Sequence, residues 1–208
     1  MSERGKFITL EGGEGVGKST QARALAEALA QRGIDCLVTR EPGGSPGAEA
    51  IRESLLGGEN ERWSPRAEAL LFAAARADHV EKTILPALKR GQWVLSDRFL
   101  DSSVAYQGFA GGLNGEEVYQ LNDFACDGLF PDRTLVLITS EGSERARNRD
   151  GGTGDRIGGR DPAYHEAVDD GFLALHEQDP ERVRLIDASG SPDAVTARLL
   201  EAIADLLP

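Results

Sequence analysis

One ten-residue stretch, EGGEGVGKST at positions 11–20, constrains the fold of this chain more than any other feature. It fits the pattern G-x-x-x-x-G-K-[ST], whose fixed positions are Gly12, Gly17, Lys18 and Ser19. In such a P-loop, backbone N–H groups converge on phosphate, the lysine reaches the β- and γ-phosphates, and the hydroxyl ligates Mg²⁺. We therefore expect a nucleoside-triphosphate site lined by Gly12, Gly13, Glu14, Gly15, Val16, Gly17, Lys18, Ser19 and Thr20.

The residues on either side of the loop agree with this interpretation. An apolar run (Phe7, Ile8, Leu10) precedes the loop, as a strand would. After the loop, apolar residues recur at helical spacing, at Ala22, Leu25, Ala26 and Leu29. Strand, loop and helix follow one another in the order that the motif requires, which disfavours the alternative of a glycine-rich turn that matches by chance.

The rest of the chain alternates between strand-like and helical patterns. Strand-like runs recur near residues 6–11, 35–39, 92–96, 134–138 and 183–186. This alternation predicts an α/β fold with a five-stranded parallel sheet flanked by helices on both faces. The length of 208 residues suits one domain spanning 1–208, and the sequence shows no internal repeat and no linker long enough to divide it.

Helix boundaries have their own sequence signals. Gly33 follows the first helical pattern as a stop, Asn114 precedes another as an N-cap, and Ser191 before a proline opens the last. The last helix is expected to carry four apolar residues on one face, namely Val195, Leu199, Ile203 and Leu206.

Composition narrows the choice of partners and compartment. The net charge of −12 argues against broad binding to nucleic acid or acidic membranes. The longest apolar run, Ala69–Ala75, is far shorter than the ~18 residues of a membrane span. Cys36 and Cys126 form no C-x-x-C motif, and the N-terminus lacks the apolar segment of a signal peptide. We expect a cytoplasmic protein that binds neither nucleic acid nor membranes.

One segment runs against the acidic composition. From Arg145 to Arg160, the sequence RARNRDGGTGDRIGGR holds five arginines against two aspartates. A solvated loop is one interpretation of such a run. A mobile lid, at approximately 145–160, is the other, and we favour it because an acidic enzyme that clamps polyphosphate needs local positive charge.

A second candidate site lies in QWVLSDRF, an apolar strand that ends in Asp97 and Arg98. A carboxylate at a strand end beside the P-loop can hold the Mg²⁺ shell, and the neighbouring guanidinium can bind phosphate through two hydrogen bonds. An ordinary exposed turn pair is the alternative. No N-K-x-D stretch is present to recognise guanine, which weakens the case for a GTPase.

Three further segments make the sequence resemble bacterial thymidylate kinases. They are TREPGG at 39–44, LFAAARADH at 71–79 and DRFLDSSVAYQG at 97–108. The resemblance spans the chain from ITLEGGEGVGKST to IDASGSPDAV. It implies a P-loop kinase fold and Mg²⁺-dependent transfer of the ATP γ-phosphoryl group to dTMP, giving dTDP and ADP for dTTP biosynthesis. It also implies a homodimer.

The resemblance further implies a base pocket. Phe72 would stack on thymine and Arg76 would hydrogen-bond its carbonyl edge, and their spacing of four places both on one helix face. Ser103 and Gln107 would also line the pocket. From the sequence alone, Phe72 could equally be a core residue, because apolar periodicity usually indicates packing.

Other matched positions would bind the sugar and phosphate of dTMP. Tyr106 would press against the sugar where a ribose 2′-hydroxyl would sit, although it could also close a loop over the sheet edge. Glu14 would lie near the 3′-hydroxyl, and Glu41 is also assigned to dTMP. Arg52 and Arg98 would hold the phosphate, with a solvated helix residue as the alternative for Arg52.

The arginines identify the expected catalytic type. The variable P-loop positions (13–16) contain no basic residue, whereas the lid supplies Arg145, Arg147, Arg149 and Arg156. The resemblance therefore indicates the lid-arginine type, with Arg149 at the γ-phosphate and Arg147 and Arg156 as reserves. Its catalytic set is Lys18, Asp97, Arg98 and Arg149, its ATP contacts include Arg147 and Arg149, and its metal ligands are Ser19 and Asp97.

The family pattern is broken at three places near the lid, namely Ile138, Gly158 and Asp169. Two alternatives to the main hypothesis stay open at this point. One is a related nucleoside or nucleotide kinase with a different acceptor. The other is a nucleotide-dependent switch that transfers phosphate only to water.

Overall fold

The computed structural model describes residues 4–58, 62–139 and 156–208. Its sheet consists of β1 (Phe7–Glu11), β2 (Cys36–Arg40), β3 (Trp93–Asp97), β4 (Arg133–Ile138) and β5 (Val183–Asp187). The strand order is β2-β3-β1-β4-β5, and all four neighbouring pairs are parallel. The predicted five-stranded parallel sheet is thus confirmed.

Helices connect the strands and cover both faces of the sheet. The α-helices are α1 (Lys18–Ala30), α2 (Pro46–Leu56), α3 (Pro65–His79), α4 (Leu85–Lys89), α5 (Leu100–Ser103), α6 (Gly115–Cys126), α7 (Pro162–Gln178) and α8 (Pro192–Ala202). Two π-helical segments, Val80–Ile84 and Val104–Ala110, continue α3 and α5. Within the described ranges, no helix is long and apolar enough to cross a membrane.

Alternate residues of the strands pack against different helices. On one face, Ile8, Leu10 and Leu95 pack with the apolar sides of α1 and α8. On the other face, Phe7 and Val94 pack with α4 and α6. A third cluster joins the second π-helical segment and α7 to β4 and β5. The three central strands β1, β3 and β4 are almost wholly buried in this way, which explains their nearly continuous apolar sequences, whereas β2 and β5 at the sheet edges are partly exposed.

The predicted helix signals are found, with one correction. Gly33 has a φ of 77°, which favours glycine after α1. Asn114 Oδ1 accepts hydrogen bonds from the N–H groups of residues 116 and 117, and Ser191 Oγ accepts one from residue 194. The last helix is shorter than expected: α8 ends at Ala202, and Leu206 lies in a separate 3₁₀ turn, Ala204–Leu206.

The strand order brings the two predicted motifs together. The P-loop follows β1, the central strand, and β3 lies directly beside it with Asp97 opposite Leu10. The carboxyl ends of parallel strands lie at the same edge of the sheet, where ligands bind in folds of this class. The chain at this edge therefore positions the candidate site.

Candidate active site

A cleft of about 310 Å³ opens at the carboxyl end of the sheet, between the P-loop, α2, α3 and the chain after β3. Its volume lies within the usual range for small-molecule sites. The residues assigned to nucleotide from the sequence that border it are Glu14, Gly15, Gly17, Lys18, Ser19, Thr20, Glu41, Arg52, Phe72, Arg76, Asp97, Arg98, Ser103, Tyr106 and Gln107. The structure thus brings both predicted substrate regions into the same cleft.

The P-loop has the backbone that its glycines allow. Gly12, Gly15 and Gly17 have φ values of 125°, 73° and 92°. At Gly12, a Cβ would lie 2.4 Å from the Leu137 carbonyl oxygen, so no larger residue fits between β1 and β4. Lys18 is buried, and its Nζ donates to the Gly12 and Gly13 carbonyl oxygens at 3.2 and 2.5 Å. Burial lowers the pKa of Lys18 to about 8.

Oxygen atoms suited to a divalent cation lie at the start of α1. Ser19 Oγ donates to Asp97 Oδ2 at 2.5 Å, which joins the P-loop to the end of β3. Among the described residues, no group of three or more His, Cys, Asp and Glu side chains is arranged to hold a metal. A hydroxyl and one carboxylate fit Mg²⁺, which is usually held by one or two carboxylates together with substrate phosphates.

Arg98 joins the P-loop to the cleft wall. Its Nη2 donates to Glu14 Oε1 at 2.6 Å, and its Nη1 donates to the Gly12 carbonyl oxygen and Ser102 Oγ at 3.2 and 3.1 Å. The guanidinium lies 4.8 Å from the centre of the Tyr106 ring, and the Tyr106 hydroxyl donates to Glu14 Oε1 at 3.3 Å. The charge of Arg98 lowers the pKa of Glu14 to about 2, so Glu14 is ionised at neutral pH.

The backbone of Arg98 is also unusual, since its φ of 71° lies in the left-handed region that non-glycine residues rarely adopt. Arg98 and Asp97 both border the cleft, so they are not an ordinary exposed turn pair. The left-handed residue turns the chain sharply after β3 and directs the guanidinium back toward the P-loop.

Arg76 is less available than the resemblance implied. It is 2 % exposed and donates to Glu41 Oε2 at 2.7 Å, Ser103 Oγ at 2.9 Å, the Phe99 carbonyl oxygen at 3.0 Å and Asn122 Oδ1. These four hydrogen bonds use four of its five N–H hydrogens, and the fifth is on Nη2. A ligand contact by Arg76 would therefore use one donor on a guanidinium held by protein.

Glu41 is buried between two cationic or polar partners. Its Oε2 accepts from Arg76, and its Oε1 pairs with His79 Nδ1 at 3.0 Å. His79 Nε2 pairs in turn with Thr39 Oγ1 at 2.8 Å. Glu41 borders the cleft, and these contacts show that it also holds Arg76 in place.

Three residues for which the sequence left a second interpretation open border the cleft. Phe72 is half-buried and borders the cleft beside Arg76, and it belongs to none of the described core clusters. Arg52 also borders it, and its Nη1 donates to the Pro42 carbonyl oxygen at 2.6 Å. Tyr106 combines both of its readings, since it is part of a core cluster and borders the cleft.

A buried carboxylate that the sequence analysis missed lies beside Gln107, one of the residues expected to contact the base. Glu68 Oε1 accepts a hydrogen bond from Gln107 Nε2 at 3.1 Å. Glu68 lies four residues before Phe72 and eight before Arg76, on the same face of α3, and this spacing could have identified it.

The lid arginines have different positions in the structure. Arg145, Arg147 and Arg149 lie outside the described residues. Arg156 is buried, its Nε donates to the Leu55 carbonyl oxygen at 2.9 Å, and its Nη2 donates to Glu68 Oε2 at 2.6 Å. This ion pair gives Arg156 a structural role that was not expected of a reserve phosphate ligand.

Comparison with known proteins places the chain in a family. The family model described as thymidylate kinase matches residues 10–199. The thymidylate kinase of Rhizorhabdus wittichii is 58 % identical over 206 residues, which are 98 % of this chain and 99 % of that protein. The thymidylate kinase of Caulobacter vibrioides is 47 % identical over 206 residues, 98 % of each chain.

A solved structure agrees with these matches. The crystal structure of thymidylate kinase from Ehrlichia chaffeensis has a TM-score of 0.79 and 30 % sequence identity, and the match covers 97 % of this chain and 99 % of that one. The family model, the two relatives and the solved structure thus all match this chain over nearly its full length. The chain belongs to the thymidylate kinase family and is a nucleotide kinase of the P-loop fold.

Proposed function

We propose that this protein transfers the γ-phosphoryl group of ATP to dTMP, giving dTDP and ADP. The observation that carries the proposal is the composition of the cleft. The P-loop residues Lys18 and Ser19 border it, and so do Phe72, Ser103 and Gln107, which would supply a flat apolar surface and hydrogen-bonding groups for a base. The cleft would thus seat a triphosphate and a monophosphate in line.

Phosphoryl transfer asks the protein for position and charge rather than for a covalent step. The attacking group is a phosphate oxygen of dTMP, which is largely anionic at neutral pH because the second pKa of a phosphomonoester is ~6. No strong general base is needed. Lys18 would neutralise charge on the β- and γ-phosphates, and Arg98 with Arg52 would hold the acceptor phosphate.

The remaining residues are assigned to the base, the sugar and the metal ion. Phe72 would stack on thymine, and Arg76 would use its fifth N–H hydrogen on the base. Tyr106 and Glu14 would contact the sugar, where the aromatic ring disfavours a 2′-hydroxyl. We propose Ser19 and Asp97 as the protein ligands of Mg²⁺, which would neutralise negative charge on the ATP phosphates.

We further propose that the protein acts as one domain with an arginine lid, in which Arg149 contacts the γ-phosphate and Arg147 supports it. The support is the family membership together with a P-loop that has no basic residue at positions 13–16. Hydrogen bonds from such arginines to the migrating phosphoryl group become stronger when water is excluded.

We also propose a homodimer formed through α3 and α6. These helices pack against each other, and each presents an exposed apolar side chain, Leu70 at 58 % and Phe124 at 87 % exposure. Exposed large apolar side chains of this kind are often covered at protein–protein interfaces.

The direct test is ADP formation by the purified protein with ATP and Mg²⁺, with and without dTMP, and separation of the nucleotides to detect dTDP. We expect turnover only when dTMP is present. dUMP, thymidine and CMP serve as alternative acceptors, and a preference for any of them over dTMP would contradict the proposal. ATP turnover that does not depend on an acceptor would indicate a switch instead.

A pair of lysine variants tests the site itself. Lys18→Met removes the buried P-loop cation and should lower kcat/KM by at least about 10²-fold, because a phosphate charge is left without its partner. Lys82→Met changes an exposed lysine that pairs with Asp78 outside the cleft, and it should leave the rate within about twofold.

A further inference from the structure

The buried carboxylate of Glu68 links three side chains from separate parts of the chain. It is 2 % exposed, and its Oε1 accepts the hydrogen bond from Gln107 Nε2. Its Oε2 accepts from Arg156 Nη2 and Arg160 Nη2, each at 2.6 Å. Both arginines belong to the C-terminal part of the arginine-rich segment, whereas Gln107 borders the cleft.

The two arginines fix the chemical character of this carboxylate. Two guanidinium groups donate to one of its oxygens and offset the cost of burying its negative charge. An ionised carboxylate accepts hydrogen bonds and donates none. Only the NH₂ end of the Gln107 amide can therefore face Glu68, and the Oε1 end is turned away from it.

We propose that Glu68 is a positioning residue that determines base specificity by fixing the orientation of the Gln107 amide. With Nε2 held by Glu68, the Oε1 of Gln107 is presented to the bound base as an acceptor. Thymine and uracil carry a donor, the N3–H group, whereas N3 of cytosine is an acceptor. The arrangement selects a pyrimidine with an N3–H group, and this inference rests on the proposed function.

The substitution Glu68→Gln tests this proposal because it should exchange the positions of the oxygen and the NH₂ group of the Gln107 amide. The carbonyl oxygen of the new glutamine would take the place of Oε2 opposite Arg156 and Arg160, so its NH₂ group would face Gln107. Two NH₂ groups cannot hydrogen-bond each other, so Gln107 would turn its oxygen toward position 68 and its NH₂ toward the base. That orientation suits N3 of cytosine.

The measurement is the ratio of the inhibition constant of dCMP to the KM of dTMP, since dCMP can compete even where it is not phosphorylated. In Glu68→Gln, this ratio should fall by at least about tenfold, the size expected when a buried hydrogen-bonding group faces the wrong partner. A merely structural role would weaken both nucleotides equally, and an unchanged ratio in a folded variant would overturn the proposal.

Four further variants, one of them a double substitution, complete the experiment. Arg160→Ala leaves the carboxylate and Arg156 in place, and the ratio should stay within about twofold of wild type. Gln107→Leu should itself lower the ratio, and adding Glu68→Gln to it should change the ratio no further. If Glu68→Gln does not fold, Glu68→Asp withdraws the carboxylate from Gln107 while keeping its charge, and the ratio should again fall.

The outcomes separate this inference from the proposed function. If wild-type protein does not phosphorylate dTMP, the proposed function is wrong. If wild-type protein does so and the folded Glu68 variants keep its ratio of dCMP to dTMP affinity, only the role of Glu68 is wrong.

Discussion

At the scale of single residues, buried ionisable groups beside the P-loop hold the site in shape. Glu11, the last residue of β1, accepts hydrogen bonds from the Phe99 N–H group at 2.8 Å and from Ser102 Oγ at 2.5 Å. Ser102 Oγ also accepts from Arg98. Glu11 is thus connected to the proposed phosphate ligand through one hydroxyl.

The pKa of Glu11 makes the stability of the protein depend on pH. Burial, with the nearby charge of Asp101, raises this pKa from 4.5 to about 8. A carboxyl whose pKa is higher in the folded state stabilises the fold most below pH 4.5, and this contribution is lost as pH rises through 8. Glu11→Gln cannot ionise and should lose this dependence.

We therefore expect the melting temperature of Glu11→Gln minus that of wild type to be at least about 4 °C larger at pH 9 than at pH 5. A change of ~1–2 kcal/mol in the free energy of unfolding shifts the melting temperature of a protein of this size by that amount. Thermal unfolding of both proteins at several pH values measures it. Glu117→Gln, on the exposed side of α6, provides the control and should run parallel to wild type. Parallel curves for Glu11→Gln would show that Glu11 ionises freely in the folded protein.

Site residues differed in how far the sequence could predict them. Lys18, Ser19 and Asp97 lie in short motifs whose spacing is fixed by the loop and by one strand end, so the sequence placed them in the cleft. The spacing on α3 could have pointed to Glu68, but its partners are 39 to 92 residues away and those of Glu11 are 88 to 91 residues away, so only the tertiary structure shows what these carboxylates bind. The sequence also could not show that Arg76 is held by protein groups.

At the scale of elements, the ends of the five strands were predicted to within one residue. The central strands β1, β3 and β4 are buried on both faces and leave continuous apolar runs. The end of α8 was predicted less well. Leu206 keeps the helical apolar spacing, and it packs against the same core from a 3₁₀ turn. Periodicity marks the buried side of a segment, but it does not distinguish an α-helix from a tighter turn that follows it.

A buried ion pair connects α5 to the edge of the sheet. Asp101 is fully buried and accepts two hydrogen bonds from Arg182, at 2.7 and 3.0 Å, and one from Thr134 Oγ1 at 2.8 Å. Asp101→Ala would leave Arg182 without its buried partner, so we expect the free energy of unfolding in urea to fall by about 3 kcal/mol.

The matched control is Asp187→Ala at the end of β5. Asp187 is half exposed, and its oxygen lies 3.7 Å from Arg198, so its ion pair contributes little. We expect a loss of less than about 1 kcal/mol in the same measurement. Equal losses at the two positions would mean that the Asp101 network adds no more than a surface pair.

The arginine-rich segment is the element for which family membership supports the most specific catalytic expectation. Arg149→Ala should lower kcat by about 10²–10³-fold, with a smaller change in the KM of dTMP. The substitution would remove a positive charge that contacts the migrating phosphoryl group and not dTMP. Steady-state kinetics with ATP and dTMP measures this. Arg145→Ala is the control in the same segment, and a larger loss there than in Arg149→Ala would assign the contact to Arg145.

At the scale of the whole molecule, the net charge opposes association with a second copy of the chain, whereas exposed apolar side chains favour it. The net charge of −12 would repel a second copy of the chain at most surfaces. Leu70 on α3 and Phe124 on α6 are exposed apolar side chains of two helices that pack against each other, and α3 also carries Phe72, Arg76 and Glu68. Association through these two helices would support the helix that forms one wall of the cleft.

Phe124→Asp should disrupt the proposed homodimer, since the new carboxylate would be buried against its symmetry mate in a two-fold interface. Light scattering after gel filtration should give about 45 kDa for wild type, twice the chain mass of 22.3 kDa, and the monomer mass for the variant. Phe109→Asp is the control: Phe109 is 46 % exposed and lies on the second π-helical segment, so the dimer should persist.

Because α3 forms the cleft wall, the monomeric variant should also show a higher KM for dTMP than the control. A wild-type monomer, or a dimer that survives Phe124→Asp, would contradict an interface at α3 and α6.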